Sequence, residues 1–294
     1  MSVKQEWRDE PCDLLVALHA RKSLRSAEGF RRAHPSRPLI VALTGTDLYS
    51  DLRWSRHACK ALELADRLVL LQLRGRAELP PVARRKSRVI HQSAAMRNRG
   101  RSRPGRFFDV CVLAHLRPVK DPFRAARASR LLPATSGIRV LQAGAALAPR
   151  EEKRARREEK QNPRYRWLGD LSGARALQVL ARSRLLVNSS RIEGGANVVS
   201  EALACGVPLL ATRIPGNVGI LGPGYPGYFD VGDTRRLADL MGRAERDPAW
   251  LSRLEAWCRR RRYLVDPRRE IRAWSELLRE LQGKGLGVPP TRLS

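Results

Sequence analysis

No stretch of this chain approaches the roughly 18 consecutive apolar residues that a membrane-spanning helix requires. The opening residues, Met1-Ser-Val-Lys-Gln-Glu-Trp-Arg-Asp-Glu-Pro11, lack the apolar centre of a signal peptide. Cysteine is scarce and odd in number: Cys12, Cys59, Cys111, Cys205 and Cys258, with no Cys-x-x-Cys spacing. That argues against a disulfide framework or a zinc site, and for reduced, mostly buried thiols in a cytoplasmic protein. No Gly-x-Gly-x-x-Gly follows the first strand of either half, which disfavours a dinucleotide enzyme. No Asp-x-Asp appears, so no metal cofactor is expected. Acidic residues are also few, and the net charge of +28 invites a nucleic-acid reading. The charge is spread along the chain, however, and only 8 of the 57 basic residues are Lys, a bias that GC-rich coding produces without function. With no zinc finger and no aromatic-rich basic strand, no specific nucleic-acid partner is expected. Non-specific binding to RNA or anionic lipid at low salt is expected, and a weak peripheral membrane contact stays open.

What the chain does contain is a regular alternation. At 294 residues it has the length for one large or two ordinary domains. Strand-like runs at Asp13 to Leu18, Leu39 to Leu43, Arg67 to Leu71 and Arg88 to His91 alternate with helical stretches near Lys22 to Ala33 and Trp54 to Ala65. This is the pattern of a parallel sheet with crossover helices. The polar run Met96-Arg-Asn-Arg-Gly-Arg-Ser-Arg-Pro-Gly-Arg106 reads as a linker. A second α/β set follows, with strands at Phe108 to Ala114, Ile138 to Ala143, Tyr165 to Leu168, Leu185 to Asn188, Val207 to Ala211 and Tyr228 to Val231. Arg150 to Lys160 is charged all round and reads as an exposed helix without a binding role. The tail is helical over Thr234 to Glu245, Ala249 to Arg260 and Asp266 to Leu281, where Ile271, Trp274, Leu277, Leu278 and Leu281 form an apolar stripe.

The most informative segment is Glu193-Gly-Gly-Ala-Asn-Val-Val-Ser-Glu201. It joins the apolar run ending at Asn188 to a helix-spaced run through Cys205, which Gly206 closes. On this reading Gly194 and Gly195 open the helix and Glu201 lies in its second turn. Free N–H groups at a helix start attract anions, and side-chain-free glycines let a phosphate or sugar approach the backbone. Gly194, Gly195, Ala196 and Asn197 would supply those amides, and the two carboxylates could accept hydrogen bonds from sugar hydroxyls.

Arg117 and Lys120 follow the strand that ends near His115, at the edge where open α/β sheets bind ligands. Arg can fork onto phosphate oxygens and Lys can act as a point charge on a diphosphate. In the first half, His19, Arg21, Lys22 and Ser23 follow the first strand, and Thr44, Gly45, Thr46 and Asp47 follow the second. They suggest a positive, donor-rich pocket mouth suited to an anionic acceptor. Asp47 could equally be a helix N-cap.

These segments resemble the retaining GT-B glycosyltransferases of the group 1, or family-4-like, class, whose hallmark is a Glu-x7-Glu pair with an upstream Arg and Lys. A closer resemblance is to the bacterial selenosugar synthases of selenoneine biosynthesis. It is carried by Leu18-His-Ala-Arg-Lys-Ser23, Leu43-Thr-Gly-Thr-Asp-Leu-Tyr49, His115-Leu-Arg-Pro-Val-Lys-Asp-Pro-Phe123, Ser190-Arg-Ile-Glu-Gly-Gly-Ala-Asn-Val-Val-Ser-Glu-Ala202 and Pro223-Gly-Tyr-Pro-Gly-Tyr-Phe229, and it runs from about residue 12 to about 280.

The resemblance implies two Rossmann-like parallel-sheet domains facing across a cleft. Residues 1–100 would form the acceptor domain and 107–265 the donor domain, with helix 266–282 returning to the first. It implies a UDP-sugar donor, expected to be UDP-N-acetylglucosamine, and selenophosphate as acceptor. Arg117 and Lys120 would hold the diphosphate, Glu201 the ribose and Glu193 the hexose, while His19 would position the acceptor. Enzymes of this kind open with a strand, a glycine-rich loop and a helix, and nothing similar precedes Cys12, so the first βα unit is expected to be missing. Two other readings are a generic glycosyltransferase acting on a glycan or lipid acceptor and an inactive nucleotide-sugar-binding remnant.

Overall fold

The computed structural model describes residues 2–95 and 107–285. The linker expected at Met96 to Arg106 lies outside the described residues. By their internal contacts the described residues fall into two units, one running to His91 and resuming at Arg268, the other spanning Gln92–Pro267.

The first unit contains β1 (Leu15–Leu18), α1 (Leu24–Ala33), β2 (Leu39–Leu43), α2 (Thr46–Tyr49), α3 (Arg56–Leu64), β3 (Arg67–Leu70), α4 (Pro81–Arg85) and β4 (Ser87–Val89). The strands are parallel and lie in chain order, β1-β2-β3-β4. β2, Leu-Ile-Val-Ala-Leu, is buried at every position, as a parallel strand covered on both faces must be. One face packs on Ala27 and Phe30 of α1 and on Ala58, Ala61 and Leu62 of α3. The other presents Ile40, Ala42, Val69 and Ile90 to Leu277 and Leu281 of the last helix (Pro267–Gly285), with Trp274 and Leu278 beside them. Glu280 of that helix is clamped by Arg88 at 2.7 Å. Ile271, expected in the same stripe, is 65% exposed instead. Strands this short offer an apolar face that about two helical turns already cover.

The second unit contains β5 (Phe108–Leu113), α5 (Arg124–Ser129), β6 (Ile138–Ala143), α6 (Pro149–Gln161), β7 (Tyr165–Trp167), α7 (Gly173–Arg182), β8 (Leu185–Asn188), α8 (Asn197–Cys205), β9 (Leu209–Thr212), α9 (Pro215–Leu221), β10 (Tyr228–Phe229), α10 (Thr234–Arg246) and α11 (Pro248–Arg261). Its six parallel strands run β10-β9-β8-β5-β6-β7. The chain steps outward from β5 to β7, and α7 then carries it back to lay β8 on the other side of β5. Two neighbouring strands therefore send their loops in opposite directions, which opens a crevice at their C-terminal ends.

Several boundaries differ from the sequence reading for local reasons. Val207 belongs to the turn that closes α8 rather than to a strand. Gly206 takes φ 68°, and the Val207 amide turns back to the Ala202 carbonyl, so pairing in β9 starts at Leu209. The charged helix α6 is not wholly free of the core. Ala155 is buried, and Arg154 and Arg156 stack on Phe123 and Trp167 at 4.4 and 4.8 Å, so long cationic side chains substitute for apolar ones.

Candidate functional site

The crevice between β5 and β8 gathers most of the second unit's expected site residues. After β5 the chain makes a short 3-10 turn at Pro118–Lys120 and reaches Asp121 in the left-handed region, φ 43°. The loop after β8 is tied to it: the Arg191 amide donates to the Val119 carbonyl at 2.8 Å, and the Ser189 hydroxyl to the Asp121 carbonyl at 2.9 Å. With the two loops strapped together, Lys120 Nζ meets Glu193 Oε1 at 2.6 Å. Glu193 is buried. A buried carboxylate needs such a partner, because uncompensated charge in a poorly solvated site is costly.

The Glu193 loop is also supported from the next strand. Thr212 Oγ1 donates to the Ser190 carbonyl at 2.6 Å, and Asn217 Nδ2 holds the Thr212 carbonyl at 2.9 Å. Gly216 passes so close that a Cβ there would stand 2.1 Å from the Glu193 carbonyl oxygen. No side chain fits at that position without moving Glu193. Ser189, Thr212, Gly216 and Asn217 escape motif reading. The one sequence signal is the Pro215-Gly216 pair directly after a strand.

Two charged residues of the site have no partner among the described residues. Arg117 is exposed, and its side chain makes no hydrogen bond or ion pair with the described residues. Glu201, half-buried in α8, also lacks one, and burial pushes its carboxyl above the ordinary value. Gly194 and Gly195 do not open the helix as expected. They form the bend before it, Ala196 is the N-cap without a side-chain cap, and α8 starts at Asn197. The helix follows β8 so closely that the chain must turn first, and the glycines make that turn.

In the first unit the expected residues do converge at the ends of β1 and β2, but they are largely spent on one another. His19 takes φ 72°, a conformation unusual for a side chain of its size, and its Nε2 lies 3.0 Å from Thr46 Oγ1. Asp47 is neither an N-cap nor an accessible ligand contact. Fully buried, its carboxylate accepts the amides of Ala20, Thr44 and Gly45 at 3.0, 2.9 and 2.8 Å and the Thr44 hydroxyl at 3.3 Å. Gly45, at φ 142°, takes the N-cap position. Ser23 turns its hydroxyl onto the Leu18 carbonyl at 2.5 Å. Arg21 is not a free cation either: Asp51, absent from the sequence reading, holds its Nε at 2.7 Å and also lies 3.9 Å from His19 Nε2. Of the two expected cations only Lys22 has no partner among the described residues.

A family model described as "Glycosyl transferases group 1" matches residues 97–262, more than half of the chain. The chain belongs to the group 1 glycosyl transferases. Among curated relatives, 63 residues are 41% identical to N-acetyl-alpha-D-glucosaminyl L-malate synthase from Bacillus anthracis. That match covers 21% of this chain and only 16% of the relative. Among solved structures, Anabaena HepE in complex with UDP superposes with a TM-score of 0.74 at 18% identity, covering 92% of this chain and 79% of that one. Sucrose-phosphate synthase from Thermosynechococcus elongatus gives 0.75 at 18% identity, covering 92% and 74%. At these identities the structural likeness establishes the fold, two Rossmann-like units of parallel sheet of the GT-B glycosyltransferase type. For this group 1 member, the family match falls on the unit that holds the Lys120–Glu193 pair. No helix among the described residues is long and apolar enough to cross a membrane.

Proposed function

We propose that this glycosyltransferase binds a UDP-sugar, UDP-N-acetylglucosamine, at the β5/β8 crevice and transfers the sugar to selenophosphate. The observation that carries the donor half is the meeting of Lys120 and Glu193 at 2.6 Å, on segments that also carry Arg117 and Glu201, which have no partner among the described residues. Arg117 and Lys120 would take the diphosphate, with help from the amides of Gly194 to Asn197. Glu201 would accept the ribose hydroxyls and Glu193 would contact the hexose. Support for the donor comes from relatives: HepE has been seen with UDP and with UDP-glucose, and the Bacillus relative is named for an N-acetylglucosaminyl product.

In the reaction selenium attacks the anomeric carbon and the carbon–oxygen bond to the diphosphate breaks, leaving its electron pair on UDP. Water then cleaves the phosphorus–selenium bond, giving inorganic phosphate and a 1-seleno-sugar. Selenium in selenophosphate is already a good nucleophile, so orientation and stabilisation of departing UDP carry the catalysis. Protein cations, not a bound metal, would offset the leaving-group charge. His19, fixed by Thr46, would orient the acceptor without removing a proton. The acceptor rests on the runs resembling selenosugar synthases; L-malate in the name of the Bacillus relative supports a small anion in general.

One observation favours a second reading, transfer to an ordinary hydroxyl. Asp51 neutralises Arg21 beside His19, so the first unit's strand ends are less cationic than their sequence suggests. Anaerobic incubation with UDP-N-acetylglucosamine and selenophosphate, followed by mass spectrometry, decides between them. A selenium-containing sugar supports the first reading. Transfer only to hydroxyl acceptors, with no selenium product, rejects it.

A further inference from the structure

Asp121 has a conformation that needs a reason. Its φ of 43° lies in the left-handed region, which disfavours a side chain and not glycine, although Asp tolerates it better than most. The turn itself would be satisfied by glycine. The carboxylate must therefore contribute something that glycine would not.

Its contacts show what. Asp121 Oδ2 accepts from Arg124 Nη2 at 2.6 Å and from Nε at 2.8 Å, and both residues are buried. The remaining nitrogen of Arg124, Nη1, reaches the Gly232 carbonyl and the Thr234 hydroxyl, each at 2.6 Å, after β10. Arg191, from the Glu193 loop, brings Nη2 to 3.9 Å from the same carboxylate oxygen, and Arg127 stands 3.9 Å from the other. The Asp121 main chain accepts the Ser189 hydroxyl. One residue thus joins the loops after β5, β8 and β10, and it directly follows Lys120.

We propose that Asp121 is a positioning residue for Lys120, its carboxylate fixing Arg124, which reaches the loop after β10, and drawing in Arg191 of the Glu193 loop, so that the Lys120 ammonium is held at the diphosphate site. A guanidinium gripped on two edges is a rigid strut, and rigid support of a charged group preserves the geometry on which its electrostatic effect depends. Left to the backbone alone, the Lys120 turn would keep its shape and lose its register against Glu193. This rests on the reading that Lys120 acts on the diphosphate of a nucleotide-sugar.

The test uses UDP as probe, titrated calorimetrically into the full-length protein and its D121G, D121N, K120A and K120A/D121G variants, with thermal melting of each. Glycine relieves the left-handed turn and removes the carboxylate; asparagine keeps the turn preference and one acceptor. K120A is expected to weaken UDP by roughly 10-fold or more, D121G by about 5- to 10-fold and D121N by less, as for the loss of one and part of one charged contact. In the K120A background D121G should add almost nothing, because residues acting through one group are not additive. A merely structural role would lower melting temperature without that non-additivity and without rescue by asparagine. UDP affinity of D121G equal to that of the wild type, with K120A weakened, overturns the clasp alone. Unchanged affinity in K120A overturns the diphosphate reading of Lys120, and the clasp with it.

Discussion

The ends of the two parallel sheets carry similar inventories of charged and hydroxyl residues and use them differently. After β1 and β2, Asp47 accepts four hydrogen bonds, Asp51 holds Arg21 and Ser23 turns back to the Leu18 carbonyl. After β5 and β8, Lys120 and Glu193 form one tight pair, and Arg117 and Glu201 have no partner among the described residues. The cause is topological. The first sheet runs in chain order, so successive loops lie over one another and can bond. In the second, strand order reverses between β8 and β5; main-chain and Ser189 hydrogen bonds strap the two loops together, yet Arg117 and Glu201 find no partner among the described residues. Polar groups with partners hold a fold; those held near one another without partners are available to a ligand.

The strongest break of this comparison is K120A. It should lower turnover by about 10²- to 10³-fold, as for loss of one preorganised charge at a leaving group, and also lower the melting temperature, because Glu193 is left buried without its partner. Next is D47A, which strands several buried donors and should cost on the order of 3 kcal/mol in chemical denaturation, with UDP affinity retained by the folded protein. A D47A variant that stays stable but fails to bind UDP would erase the distinction between the two edges.

Much of the contrast could be read from the chain, and the division of labour is instructive. β2 is a continuous apolar run, and β5 and β8 contain one at Val110 to Leu113 and Leu185 to Val187, so a buried parallel strand was the natural reading of each. The Glu193 to Glu201 spacing, with glycines between, singled out the segment that the structure places after β8, beside the loop that follows β5. Strand order was not legible, because periodicity says nothing about the side of β5 on which α7 delivers β8. Nor were Asp51 and Asp121, since each owes its role to a residue brought close by another loop. For the same reason Arg21 looked like a free cation and Asp47 like a cap or ligand contact.

A subtler effect follows from Glu201. Burial raises its pKa, so the folded protein retains a proton there over a range where the unfolded chain has released it. The stabilising contribution is therefore present below the unfolded value and is lost as pH rises through the folded one. E201Q should melt higher than the wild type at pH 7 to 8 and lose that advantage near about pH 4, the ordinary carboxylate range. A lower melting point for E201Q at neutral pH would mean that the carboxylate has a stabilising partner. The smallest expected effect is that of R21A: its exposed pair with Asp51 should change stability by less than about 1 kcal/mol, read from urea midpoints. A larger loss would make the Arg21–Asp51 pair a structural element of the first edge.

The central claim, that the partnerless groups of the β5/β8 crevice await a nucleotide-sugar, is tested most directly by titrating UDP-N-acetylglucosamine calorimetrically into the wild type and E201A. Binding to the wild type, weakened in E201A by about 1–3 kcal/mol, is the predicted result, the usual cost of leaving hydrogen-bond partners unmatched. Equal affinity in the two proteins would contradict the ribose role of Glu201 and, with it, the account of the crevice as the donor site.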